Sequence, residues 1–248
     1  MKREHIVLKN RIKIISKYLI IIVLVIPLFN LIRTKTNHVS DLGENNVKTS
    51  ITIKDKEYDI NNLDKLYDEN NELYGWIKIE GTNIDYPVMF KKQSDYYLSH
   101  NFYKEKNSAG SIFIDKYNIV EPRDTNLILY GHNMKDGTMF HDLINYKDYD
   151  YYTNHKYISF SNLTSDDNYE ILAVFLSKVY NVDDDVFKFY KFYSAHNTES
   201  FNYYIDNVKA LSLYDTGVTA EYGDELITLS TCEYSTENGR LVVVAKKI

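Results

Sequence analysis

Leu226-Ile-Thr-Leu-Ser-Thr-Cys232-Glu-Tyr-Ser-Thr-Glu-Asn-Gly-Arg240-Leu-Val-Val-Val-Ala245 reads as two strands joined by a short polar loop, with Gly239 supplying the turn. The first run is apolar and β-branched and ends on the only cysteine of the chain. The second begins with Arg240 and continues as valines, so the hairpin returns a guanidinium beside the thiol. A fixed positive charge next to a cysteine favours the thiolate, which is the nucleophilic form. An unpaired cysteine is most often a small buried hydrophobe. Cys232 differs in lying at the polar end of its run and not inside it.

Such a nucleophile needs a proton carrier. Asn126-Leu-Ile-Leu-Tyr-Gly-His132-Asn-Met is an apolar run that stops at Tyr-Gly, and the histidine falls where the strand ends. Strand ends present side chains to solvent on a rigid scaffold. Cys232 as nucleophile, His132 as proton carrier and Arg240 as charge stabiliser are therefore expected to meet at one mouth of a sheet. The other histidines lack such a setting. His5 and His38 flank an apolar N-terminal run, and His141 precedes Asp142, but adjacent helical residues point apart. His100, His155 and His196 lie in polar stretches and are expected to be solvated. There is no HExxH, CxxC or paired histidine spacing, and Asp183-Asp-Asp185 lacks the periodicity of a calcium loop, so no metal or cofactor is expected.

Working outward, residues 75–180 alternate short strands with turns: Trp76-Ile-Lys-Ile, Ile84-Asp-Tyr-Pro-Val-Met, Ser111-Ile-Phe-Ile-Asp, Leu127-Ile-Leu-Tyr, Tyr157-Ile-Ser-Phe, and a long run from Tyr169 to Tyr180. Pro87 marks an edge or a strand end. Helical spacing appears over 62–74, with Leu63, Leu66, Tyr67 and Leu73 on one stripe. It recurs over 138–144, and over 197–211 behind a capping-box start at Asn197. Tyr96–Phe102 reads as a single helical turn. About eight strands with two or three helices make a mainly β domain, and closure into a barrel would remove its edges.

The chain has 248 residues, 44% apolar and 26% charged, which is enough for one domain with an appendage. A net charge of −6 leaves no basic patch for nucleic acid. Six basic residues, Lys2 to Lys17, precede the apolar run Tyr18–Ile32, with Arg33 and Lys35 just after it. The run has no small-residue cleavage site at its exit, so residues 1–33 read as an uncleaved signal-anchor, its tip cytoplasmic and the rest of the chain outside. Residues 34–50 are polar and read as a tether, which leaves 51–248 as the folded domain. One cysteine in an extracellular domain forms no internal disulfide, so the core alone must hold the fold.

Thr-Leu-Ser-Thr-Cys232, Arg240 eight positions later and Leu-Tyr-Gly-His132-Asn together resemble the signature of the sortases, the Gram-positive cysteine transpeptidases. Gly75-Trp-Ile-Lys-Ile-Glu-Gly-Thr-Asn-Ile-Asp-Tyr-Pro-Val, Gly110-Ser-Ile-Phe-Ile-Asp and Gly137-Thr-Met-Phe resemble the class B branch, and the similarity runs from about Leu66 to the C-terminus. The resemblance implies an eight-stranded β-barrel with an N-terminal helix and a long helix between the sixth and seventh strands. It implies cleavage of a C-terminal sorting signal of the NPxTx type after Thr, through a thioacyl intermediate on Cys232, and transfer to a peptidoglycan amine. It also implies Leu98, Tyr130, Ser230 and Glu233 as substrate-binding residues. The N–H of Glu233, the first after the nucleophile, is a natural second oxyanion donor. The pair Leu98-Ser99 departs from the family's Leu-Asn. Read on the residues alone, an extracellular cysteine endopeptidase and a non-catalytic, membrane-anchored binding module remain alternatives.

Overall fold

The computed structural model describes residues 50–53, 56–59 and 63–248. The basic tip, the apolar run and the tether at 1–49 lie outside the described residues, as do Asn61 and Asn62, which the sequence offers as alternative caps for the helix over 62–74. Among the described residues no helix is long and apolar enough to cross a membrane.

Ser50–Ile248 is one compact unit. It opens with an antiparallel hairpin, β1 (Ser50–Ile53) and β2 (Lys56–Asp59), which forms its own two-stranded sheet. A short helix, α1 (Leu63–Glu69), follows. Eight strands then close a barrel: β3 (Leu73–Lys78), β4 (Asp85–Met89), β5 (Ile112–Ile114), β6 (Asn126–Tyr130), β7 (Tyr157–Asn162), β8 (Asp166–Lys178), β9 (Leu226–Cys232) and β10 (Gly239–Lys247). Their spatial order is β10-β8-β7-β3-β4-β5-β6-β9, and the ring closes between β9 and β10. A small helix, α2 (Tyr149–Asn154), precedes β7. The long helix α3 (Thr198–Leu211) connects β8 to β9, the sixth and seventh barrel strands.

Side-chain alternation divides the apolar residues into layers. Ile77, Val88, Ile114, Leu127, Leu129, Ile158, Phe160, Ile171, Ile227, Leu229, Leu241 and Val243 fill the barrel from all eight strands. Val242 and Val244, facing the other way on β10, pack under α3 through Phe201, Tyr204, Ile205 and Val208. That is why β10 reads as an unbroken valine run: both of its faces are covered. On β8, Ala173 pairs with Val244 and Ile171 with Ala245, which leaves Leu172 as the extra residue of a bulge. Leu172 and Ala173 consequently both join the layer beneath α3. A third cluster gathers Leu63 and Leu66 of α1 with Leu73, Trp76, Met89, Tyr97, Phe102 and Phe113 on the barrel's outside.

The expected helix over 62–74 ends sooner, at Glu69. Leu73 opens β3 and meets Leu66 as a neighbour in the core, not as a helical repeat. The helix expected over 138–144 begins only at His141 and is a 3-10 turn, His141–Lys147. Met139 takes a left-handed φ of 58°, which a helix cannot contain. Pro87 lies inside β4, paired with Trp76 of β3, whereas the parallel pairing of β4 with β5 covers only Val88 and Met89. The missing N–H thus falls where no second ladder needs it. Asn197 caps α3 by accepting from the Ser200 N–H at 2.8 Å, while the Ser200 hydroxyl accepts from the Asn197 N–H at 3.3 Å.

Candidate active site

Strand pairing explains how distant residues converge. β6 and β9 run parallel, in register, with Tyr130 opposite Ser230. Two residues beyond each, at the same end of the sheet, come His132 and Cys232. β10 runs antiparallel to β9 and sets Arg240 directly opposite Cys232, so the two side chains share a face. Cys232, His132 and Arg240 are each half-buried, and all three line one cavity of about 400 Å³.

The cavity lies against the outer face of the sheet near its end, and not in the barrel's mouth. It is lined by Tyr130, Ser230 and Arg240 from the sheet, by Leu98, and by Val179 and Tyr190. Phe113 and Phe189, which complete the walls, belong to clusters packed outside the barrel. A larger cavity of about 610 Å³ beside the first turn of α3 shares none of these residues and has neither cysteine nor histidine in its lining.

His132 Nε2 lies 2.9 Å from the carbonyl oxygen of Leu98. A carbonyl only accepts, so Nε2 carries the hydrogen, and Nδ1 is the nitrogen left for proton exchange in the neutral ring. Leu98 therefore gives the site both a wall and an orienting acceptor. It lies in a 3-10 turn, Tyr96–Leu98, in place of the expected helical turn over 96–102. One arm of the Arg240 fork donates to the carbonyls of Gly239 (2.8 Å) and Asn238 (3.3 Å). Among the described residues no carboxylate forms an ion pair with it, so its charge stays available to the cavity it lines.

Ser230 is fully buried, and its Oγ has no hydrogen-bond partner. A buried polar atom without a partner costs stability unless something binds it. Asp115, just past β5, also lines the cavity, and burial raises its carboxyl above the ordinary value. Hydrogen bonds from the Tyr117 N–H (2.8 Å) and the Tyr193 hydroxyl (3.3 Å), and an interaction with the Tyr130 hydroxyl, pull the other way. The Tyr130 hydroxyl is in turn shifted upward, first by burial and then by the charge of Asp115, so it stays protonated as a donor. Asp115 was not among the expected site residues, although it stands where Cys232 and His132 stand, as a polar residue closing an apolar run.

Glu233 is not in the lining. Its carboxylate turns to Lys147 (2.5 Å) and to Ser235. Burial alone would raise it, but those bonds outweigh burial and hold it below the ordinary carboxylate value. Its N–H, expected as an oxyanion donor, instead donates to the Gly239 carbonyl at 3.0 Å, so it is not free for that role. The turn residue is also not the one expected. Asn238 takes the left-handed φ of 55°, while Gly239 is required because a Cβ there would run into the Glu233 carbonyl oxygen. His100 and His155, expected in solvent, are half-buried and stack on Tyr96 and Tyr151, with centroids 3.8 and 4.1 Å apart. His196 is exposed.

Comparison with known proteins identifies the family of this fold. The Sortase domain model matches residues 77–248. The chain is similar to Sortase B of Listeria monocytogenes, 38% identical over 218 residues, covering 86% of this chain and 82% of that one. It is 36% identical to Sortase B of Staphylococcus aureus over 181 residues, 72% of this chain and 71% of that one. Among solved structures, the X-ray structure of Clostridium perfringens sortase B superposes with a TM-score of 0.68 at 35% identity, covering 75% of this chain and 99% of that chain. A Staphylococcus aureus sortase B–substrate complex superposes with a TM-score of 0.66 at 33% identity, covering 75% and 83%. With the fold, the convergent strand ends and these relatives in agreement, the chain belongs to the class B sortases, enzymes of the cysteine transpeptidase type.

Proposed function

We propose that Cys232 cleaves a C-terminal sorting signal of the NPxTx type after its Thr, and that the acyl group then passes to an amine of the cell wall. The observation that carries this reading is the shared cavity of Cys232, His132 and Arg240. The Cys232 thiolate attacks the Thr carbonyl, and a tetrahedral oxyanion forms beside the Arg240 guanidinium, whose charge needs no reorganisation. His132 as imidazolium donates a proton to the departing amine, leaving a thioester on Sγ. The neutral ring then accepts a proton from the incoming amine as that nitrogen attacks the thioester and the thiolate departs. Leu98, Tyr130 and Ser230 line the path of the signal, and the partnerless Ser230 hydroxyl supports a polar contact with it. Glu233 supports the turn after the nucleophile through Lys147 and Ser235.

The reading includes the membrane. Residues 1–33, with six basic residues ahead of the apolar run, place the N-terminus in the cytoplasm and the catalytic unit outside, where secreted substrates and wall precursors both arrive. Incubating the purified chain with an NPxTx peptide, with and without an oligoglycine or peptidoglycan-stem amine, tests the chemistry. A ligated product that requires the amine is expected. Hydrolysate alone in both arms would make the enzyme an endopeptidase and sink the transfer step.

A further inference from the structure

The segment after His132 is tied to the segment bearing the thiol by a bond the reaction scheme does not use. The Asn133 side-chain Nδ2 donates to the carbonyl oxygen of Cys232 at 3.0 Å. The other end of the same amide, Oδ1, lies 2.8 Å from His141 Nδ1. These two contacts fix each other's chemistry. The Cys232 carbonyl only accepts, so the amide must turn its NH₂ toward it. The amide oxygen then faces His141, whose Nδ1 must carry a hydrogen. His141 is itself held at the start of its 3-10 turn, with its N–H on the Thr138 carbonyl at 3.2 Å.

We infer that Asn133 is a positioning residue for the nucleophile, and that His141 holds its amide in the working orientation. The Cys232–Glu233 peptide is thereby fixed at both ends: its carbonyl by Asn133, its N–H by the Gly239 carbonyl at 3.0 Å. Asn133 is also covalently next to His132, so one residue registers the thiol-bearing backbone against the imidazole-bearing one. On the other side of His132, the Thr231 hydroxyl donates to the Gly131 carbonyl at 2.8 Å. The two residues flanking the histidine are thus each bonded to β9 or its exit. Losing the Asn133 bond leaves the barrel pairing intact but lets the two backbones shift relative to one another. Displacements of about 1 Å at reacting groups cost on the order of 10²-fold in rate.

The proposal rests on the reading of Cys232 as nucleophile, and its test separates the two. In the purified full-length chain, Asn133→Ala should lower kcat for peptide-to-amine transfer by about ten- to a hundredfold, with KM for the peptide within about twofold. Alkylation of Cys232 by iodoacetamide at neutral pH should slow in parallel. His141→Ala should lower kcat in the same direction. His141→Asn, whose Nδ2 stands near the position of Nδ1, should recover most of the loss, a rescue that general packing would not produce. Wild-type kcat in Asn133→Ala, or a loss confined to KM, overturns the proposal. If Asn133→Ala fails to fold, equal kcat in His141→Ala and His141→Asn overturns it instead. An unreactive thiol and no product in the wild-type chain would overturn the nucleophile reading itself, and the positioning role with it.

Discussion

Arg240 shows why an arginine, and not merely a positive charge, suits this position. One arm of its fork is fixed on the carbonyls of Gly239 and Asn238, and the guanidinium still lines the cavity with Cys232. A lysine offers one ammonium for both tasks. Arg240→Lys and Arg240→Ala should therefore both lose about 10²–10³ in kcat, while Cys232→Ala and His132→Ala abolish ligated product; peptide ligation followed by mass spectrometry reads all four. Wild-type turnover by Arg240→Lys would refute the role of the fork. Glu233 supplies a different, pH-linked prediction. Its folded pKa lies below its unfolded value, so the unfolded chain binds more protons in the window between them. The stability it contributes is present above the ordinary carboxylate value and is lost as pH falls through the folded one. Glu233→Gln should cost about 1 kcal/mol at neutral pH, about 2–4 °C in Tm for a domain of this size. Thermal melts of the two proteins should converge on acidification below the ordinary carboxylate range, and a gap that stays constant with pH would refute the ion pair with Lys147. Cys232, His132 and Arg240 were legible in the sequence because each is a polar group closing or opening an apolar run. His141 was not, because it was weighed against its neighbour Asp142, whereas its partner lies eight residues back, across a turn.

At the level of elements, the site depends on β6 stopping at Tyr130 so that the next residues can cross to β9. Gly131 permits this by space. A Cβ there would run into Ile112 Cδ1 and lie 2.7 Å from the Phe140 ring, and the Phe140 N–H holds the His132 carbonyl at 2.9 Å. Gly131→Ala should therefore push the histidine turn outward, destabilising by about 1–3 kcal/mol through overpacking and reducing kcat more than that loss of folded protein explains. Urea melts beside turnover at the same temperature decide it; a variant as stable and active as the wild type would show that Phe140 yields. The strands were readable from apolar runs and turn residues, and α3 from its cap. The parallel pairing of β6 with β9 was not, since it joins segments about a hundred residues apart and leaves no local signal. Nor was the bulge at Leu172, which a strand pattern shows only as a slip of alternation. Met139 shows the limit from the other side: apolar spacing proposed a helix that one left-handed residue forbids.

For the whole molecule, the closed ring makes the site and the fold one unit, because the three site residues come from strand ends that exist only when β6, β9 and β10 are joined. The N-terminal elements divide differently. β1 and β2 pair with each other and with no barrel strand, whereas α1 places Leu66, with no exposed surface, in a cluster with Trp76 and Met89. A chain beginning at residue 60 should thus keep kcat and KM on a soluble sorting peptide within about twofold of the full chain, a difference of about 0.4 kcal/mol in barrier. In cells the same chain should lose anchoring of secreted proteins, because residues 1–33 are proposed to hold the enzyme where its substrates emerge. A chain beginning at residue 70 loses Leu63 and Leu66 as well, and burial losses of this kind cost about 2–5 kcal/mol for a single large side chain. It should melt well below the first truncation and bind a dye specific for exposed apolar surface. Equal melting temperatures for the two truncations would mean that α1 is an ornament on the barrel. The opposite surprise, loss of peptide ligation on removing residues 1–59 alone, would mean that the N-terminal segment takes part in the chemistry and not only in its location.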